Sequence, residues 1–181
     1  MKTALLVIDI QDSFKIDPAR WASRSSVRFE EKVTELVATF REAEQPLFFI
    51  LHNDSDPGFR PGDPEVRLMS FLDRREGEPL LVKNTRNAFT STDLEQRLDA
   101  LGVERVVICG ISTEQCCETT TRVAADLGYS VDFITEATLT FPIGTLSTDA
   151  IIERTEAVLR GRFARIATVD EVREEWLVSA T

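Results

Sequence analysis

The hydrophobic pattern of this chain alternates between two periods. Short apolar runs recur at Ala4 to Ile8, Leu47 to Leu51, Pro79 to Val82, Val106 to Cys109, Ser130 to Ile134 and Phe163 to Ala167. Most are continuous and rich in β-branched residues, which predicts strands covered on both faces. Between them the apolar positions take helical spacing. Phe29, Val33, Leu36, Val37 and Phe40 share one stripe, as do Leu94, Leu98 and Leu101, and later Ile151, Thr155, Val158 and Leu159. Thr92-x-x-Glu95, Ser112-x-x-Gln115 and Thr168-x-x-Glu171 match capping boxes at helix starts, and Gly128 and Gly161 supply stops. The segment from Asn53 to Pro64, dense in Asp, Pro and Gly, reads as loop. Strands alternating with helices predict one α/β domain over residues 1–181, a three-layer α/β/α doubly wound fold with a largely parallel sheet. Such sheets bind ligands at the carboxyl ends of their strands, where Asp9, His52, Lys83 and the turn before Cys116 all fall.

The stretch from Val106 to Arg122 is the most informative. A buried strand ends at Gly110, and the Ser112–Gln115 pair places a helix start at Ser112 or Thr113. Cys117, Thr120, Thr121 and Ala124 are small enough to lie against a sheet, which leaves Cys116 in the first helical turn. The unpaired N–H groups and the positive end of the helix dipole there favour a thiolate, lower the thiol pKa and can stabilise an oxyanion. Position alone also fits a plain buried residue, because free cysteine is among the most buried types. Cys109 and Cys117 read as core.

Charge and composition narrow the partners. Lys and Arg total 21 against 31 Asp and Glu, a net charge of −10, which argues against nucleic acid and anionic membrane. No apolar run approaches membrane-spanning length, and Met1 to Leu5 leads straight into a strand without the apolar core of a signal peptide. Three cysteines without framework spacing suit a reducing compartment, so the expected location is cytoplasmic.

Three segments in order then carry a resemblance: Leu5-Leu6-Val7-Ile8-Asp9-Ile10-Gln11-Asp12-Ser13-Phe14, Lys83-Asn84-Thr85-Arg86-Asn87-Ala88-Phe89, and Gly110-Ile111-Ser112-Thr113-Glu114-Gln115-Cys116. Over almost its whole length the chain resembles the isochorismatase-like cysteine hydrolases, a superfamily that includes nicotinamidases and carbamoylsarcosine amidases. The resemblance implies a catalytic triad of Asp9, Lys83 and Cys116, with Asp9 as proton carrier and Cys116 as nucleophile. It also implies a cis peptide between Ile111 and Ser112 that aims the Ser112 N–H, with that of Cys116, at the oxyanion. The implied activity is hydrolysis of a small amide or ureido C–N bond through a thioester, without a cofactor, in a homo-oligomer. Phe141-Pro142 and Trp176-Leu177 are candidate apolar contacts for that assembly.

Departures from the family pattern matter as well. Nicotinamidases resemble one another in an Asp-x-His…His metal set, whereas His52 is the only histidine here, so no catalytic metal is expected and nicotinamide is disfavoured. Gln11, Phe14, Trp21, His52 and Phe89, with Phe59, lie in or beside the rim loops and are the candidate substrate contacts; ordinary packing explains each aromatic as well. Arg60 or Arg86 would pair a substrate carboxylate, or equally make a surface salt bridge. Among rivals, Cys116 and Arg122 have the Cys-x5-Arg spacing of tyrosine phosphatases, but the intervening residues lack glycine and include Glu118. No Gly-x-Gly follows the first strand, which disfavours a dinucleotide site. A non-catalytic ligand-binding or partner-binding member of the same fold is the remaining alternative.

Overall fold

The computed structural model describes residues 1–179, with side chains through Trp176. Among the described residues, strands β1 (Thr3–Ile8), β2 (Leu47–His52), β3 (Leu80–Lys83), β4 (Arg105–Ile111), β5 (Ser130–Leu139) and β6 (Arg165–Ile166) form one parallel sheet in the order β3-β2-β1-β4-β5-β6. Helices α1 (Pro18–Ala22), α2 (Phe29–Glu42), α3 (Leu94–Ala100), α4 (Glu118–Asp126), α5 (Thr148–Leu159) and α6 (Val169–Ser179) complete it. The expected fold class is therefore the observed one.

Strict alternation along β1 explains why its run is apolar throughout. Leu5 and Val7 join the core with Phe29, Val33, Leu36 and Phe40 of α2 and Val169 and Val172 of α6. Ala4, Leu6 and Ile8 face the opposite core, with Leu94 and Leu98 of α3, Ala124 of α4 and Leu159 of α5. Neither face of β1 meets water. Burying one such leucine side chain contributes roughly 1.5–3 kcal/mol. No helix among the described residues is long and apolar enough to cross a membrane.

Local details differ from the pattern-based expectations. The helix before Gly128 begins as a π-helical turn, Thr113–Cys117, and becomes α-helical only at Glu118. Its Ser112-Gln115 capping box does not form: Ser112 makes no side-chain cap bond, and Gln115 Nε2 donates to Glu114 Oε1 at 3.3 Å. The Cys117 N–H instead reaches back to the Ser112 carbonyl at 3.2 Å, and Thr140 Oγ1 binds Glu114 Oε2 at 2.6 Å. The capping box at Thr168 does form, with Thr168 N–H on Glu171 Oε2 and Glu171 N–H on Thr168 Oγ1. β5 continues well past Ile134, because its pairing with β4 jumps from Ile108–Phe133 to Gly110–Thr138. The last strand is shorter than its apolar run. Phe141, expected on an intersubunit surface, is buried within the chain at 3% exposure, against Phe14 and Trp21. Trp176 packs on Phe40 in an edge contact at 4.5 Å, and the side chain of Leu177 lies outside the described residues.

Candidate active site

Strand order reverses between β1 and β4, and the carboxyl ends of these strands frame a crevice. Period-2 alternation determines what enters it. Ile50 and His52 of β2, and Leu81 and Lys83 of β3, project to one face, and His52 pairs directly with Lys83 in the register. Lys83 is consequently buried although it is a lysine. Asp9 follows β1 with φ of +53°, a left-handed conformation that aspartate tolerates better than most residues. Gly110 allows β4 to approach β1 so closely that a Cβ there would sit 2.0 Å from the Ile8 carbonyl oxygen. The Ile111–Ser112 peptide is cis, and Cys116 follows on the π-helical turn. Thr113 Oγ1 anchors that turn to Thr138 Oγ1 at 2.8 Å, across the β5 irregularity.

These elements bring Asp9, Lys83 and Cys116 together. Lys83 Nζ lies 2.8 Å from Asp9 Oδ2 and 3.4 Å from Cys116 Sγ. It also donates to the Thr85 carbonyl at 3.1 Å and meets His52 Nδ1 at 3.1 Å. The contact with Asp9 is an ion pair without hydrogen-bond alignment, and the Cys116 thiol is the neighbour placed to donate to the Asp9 carboxylate. A carboxylate beside the thiol can take its proton.

The thiol itself departs from the expectation. Burial, reinforced by the Asp9 charge, pushes Cys116 up to about 12, and Lys83 only partly opposes this. The resting group is therefore a thiol. The partial charge of a helix end is weaker than desolvation plus an adjacent carboxylate. Cys109 and Cys117 are raised as well, chiefly by burial, and sit in the core as expected.

Beside the thiol lies a cavity of about 120 Å³ lined by Asp9, His52, Ser112 and Cys116, which are buried, and by Phe14, Arg20, Asp54, Asp56, Phe59, Arg86 and Gln115, which are partly or fully exposed. Phe14 and Phe59 meet edge to face at 5.2 Å. Burial raises Asp54, but the Asp56 N–H, His52 and Arg86 together outweigh it and hold the carboxyl below its usual range. Burial, then the Lys83 charge, pulls the His52 imidazole below its usual range.

Three expected substrate contacts lie elsewhere. Phe89 turns into the core and stacks on Tyr129 at 6.0 Å, because the loop after Lys83 folds back and its Ala88 N–H binds Thr120 Oγ1. Trp21 packs against Phe141, under the Lys15 and Arg24 side chains. Gln11 clamps the end of β2: its Oε1 accepts from the His52 N–H at 2.7 Å, and its Nε2 donates to the His52 carbonyl at 3.0 Å and to Ser13 Oγ at 2.7 Å. Gln11→Leu is expected to strand these buried groups and destabilise the protein by about 2–3 kcal/mol. Urea unfolding with an unchanged slope would report it. Ile111 is likewise a core side chain and contributes to the site only through its peptide. Arg20, which sequence reasoning missed, stands over Phe141 at 4.5 Å on a helix too short to show periodicity. Asp17, whose carboxylate caps that helix ahead of Pro18, was the available signal.

Sheet order and a polar crevice at the switch point put this chain among the doubly wound α/β proteins. It belongs to the isochorismatase family of hydrolases: the isochorismatase domain model matches residues 3–171. It is 28% identical to the isochorismatase family protein YrdC of Bacillus subtilis, over 97% of each chain. It is 30% identical to Nicotinamidase 3 of Arabidopsis thaliana, over 96% of this chain and 88% of that protein. A solved isochorismatase-family structure from Chromobacterium violaceum superposes with a TM-score of 0.90 at 29% identity, covering 98% of this chain and 94% of that one.

The residues do not fit the metal set of nicotinamidases. Among the described residues no group of three or more His, Cys, Asp or Glu side chains is arranged to hold a metal ion. The single histidine has its Nδ1 against the Lys83 ammonium.

Proposed function

We propose that this protein is a cysteine amidohydrolase that cleaves the C–N bond of a small amide or ureide through a thioester on Cys116. The observation that carries this reading is the Lys83 ammonium within 2.8 Å of Asp9 and 3.4 Å of Cys116, the latter two lining a surface-accessible cavity. In this reading the thiol proton passes to Asp9 as Sγ attacks the carbonyl carbon. The N–H groups of Ser112 and Cys116 receive the developing oxyanion. Asp9 then protonates the leaving nitrogen, and ammonia or an amine departs. Water attacks the thioester, giving up its proton to Asp9, and the thiolate is reprotonated as the acid leaves. Lys83 pairs its charge with Asp9 and offsets negative charge at sulfur.

The substrate is expected to be a small molecule, in keeping with the hydrolase family to which the chain belongs. Similarity to Nicotinamidase 3 supports an amide as the scissile group, and the departure from the nicotinamidase metal set argues for a different amide. The test is a panel of small primary amides, N-carbamoyl compounds and nicotinamide, scored by ammonia release. At least one amide or carbamoyl compound is expected to turn over, with nicotinamide among the poor substrates and no loss of rate after chelation. Turnover that disappears on chelation, or that survives Cys116→Ala, would overturn the proposal.

A further inference from the structure

His52 occupies an unusual position between charges. Lys83 from β3 faces its Nδ1 at 3.1 Å, and the Asp54 carboxylate from the loop after β2 faces its Nε2 at 3.2 Å. Arg86, from the loop after β3, brings Nη1 to 2.5 Å from the same Nε2 and lies 3.6 Å from Asp54. Asp9, after β1, acts on the ring through space, and Cys116 sits beyond Lys83. Ammonium and guanidinium groups only donate, and a neutral imidazole has one lone pair in its plane. Among the described residues both ring nitrogens meet a cation, Lys83 at Nδ1 and Arg86 at Nε2, but only Nε2 also meets a hydrogen-bond acceptor, the Asp54 carboxylate. That acceptor favours the neutral Nε2–H tautomer, with the Nδ1 lone pair toward Lys83.

That choice bears on the Lys83 hydrogens. An ammonium has three, and here they are directed to the Thr85 carbonyl, His52 Nδ1 and Cys116 Sγ. Asp9 receives the charge of Lys83 but no aligned hydrogen bond. We infer that His52 is a positioning residue: by taking one Lys83 N–H it keeps the ammonium turned to Cys116 and leaves the Asp9 oxygens free for the thiol proton. Asp54 fixes the tautomer, and Gln11 fixes the His52 backbone through both its N–H and its carbonyl. The inference rests on the Asp9–Lys83–Cys116 reading and adds a residue that acts through Lys83. Without the imidazole, the freed N–H would turn toward Asp9 and draw the ammonium away from Cys116.

Two experiments test it. His52 is the only histidine, so selectively ¹⁵N-histidine-labelled wild-type protein reports a single ring. The expected spectrum near neutral pH is a neutral Nε2–H tautomer, with protonation displaced to lower pH than for an ordinary histidine. An Nδ1–H tautomer, or protonation at or above the ordinary histidine range, would overturn the inference. The second experiment follows alkylation of Cys116 by iodoacetamide, resolved by peptide mass spectrometry. Sulfur bonds to carbon, iodide leaves, and the thiol proton passes to Asp9. His52→Leu is expected to slow labelling by about 10-fold or more, as loss of an orienting partner does elsewhere. His52→Asn, whose side-chain oxygen can stand near the Nδ1 position, is expected to restore most of the rate. Equal rates in wild type and His52→Leu, or equal slowing in both variants, would overturn the inference alone. Cys116 labelling no faster than Cys109 or Cys117 in the wild type would overturn the triad reading beneath it.

Discussion

Cys116→Ser is expected to lower kcat for whichever amide the panel identifies by about 10⁴-fold or more, on the scale of removing a nucleophile from an interdependent catalytic unit. The substitution exchanges sulfur for oxygen at a site only 5% exposed, so it changes chemistry with little change in packing. With its pKa pushed up to about 12 by burial and by Asp9, the thiol must lose its proton during the attack itself. A serine hydroxyl at the same place would have to surrender a less acidic proton to the same carboxylate. Asp9→Asn should produce a comparable loss by removing the acceptor while preserving shape. Stability provides the control. Thermal unfolding of Cys116→Ser is expected to stay within about 1 kcal/mol of wild type, as for other nearly isosteric changes. Full activity in Cys116→Ser would exclude a thioester route.

Gly110→Ala is expected to be the most damaging single-methyl substitution in the sheet. A Cβ at Gly110 would lie 2.0 Å from the Ile8 carbonyl oxygen and 2.7 Å from its carbon, both backbone atoms that cannot swing aside. The residue also has φ of +138°, a conformation that a side chain resists. Relief would require β1 and β4 to separate at the paired position Ile8–Gly110, one residue before Asp9 and two before Ser112. Overpacking in well-packed interiors costs about 1–3 kcal/mol, and the backbone strain adds about 1–3 kcal/mol more. Against the roughly 5–15 kcal/mol that holds a typical domain together, the expected result is a large fall in the unfolding midpoint or loss of soluble protein. A midpoint within about 2 °C of wild type, smaller than a 1 kcal/mol effect gives at this size, would show that the two strands can part cheaply.

Much of the fold was legible because it depends on local repetition. A strand covered on both faces must be apolar at every position, as Ala4 to Ile8 are, and a helix on a sheet must repeat its apolar residues along one stripe, as Phe29 to Phe40 do. Asp9, His52 and Lys83 were legible for the same reason: each polar residue ends an apolar run, and parallel strands bring such ends to one rim. The protonation state of Cys116 was not legible, since it depends on burial and on a carboxylate more than a hundred residues away in sequence. Nor did the aromatics betray their destinations. Phe14 lines the cavity while Phe89 and Trp21 turn away, because loop side chains follow the packing surface offered to them rather than a period. Sequence alone thus determined the layers, the rim and the residue types that reach it. Only the tertiary structure decided which of those groups touch and which loop residues line the cavity, because contact distances and desolvation arise only when distant segments pack together.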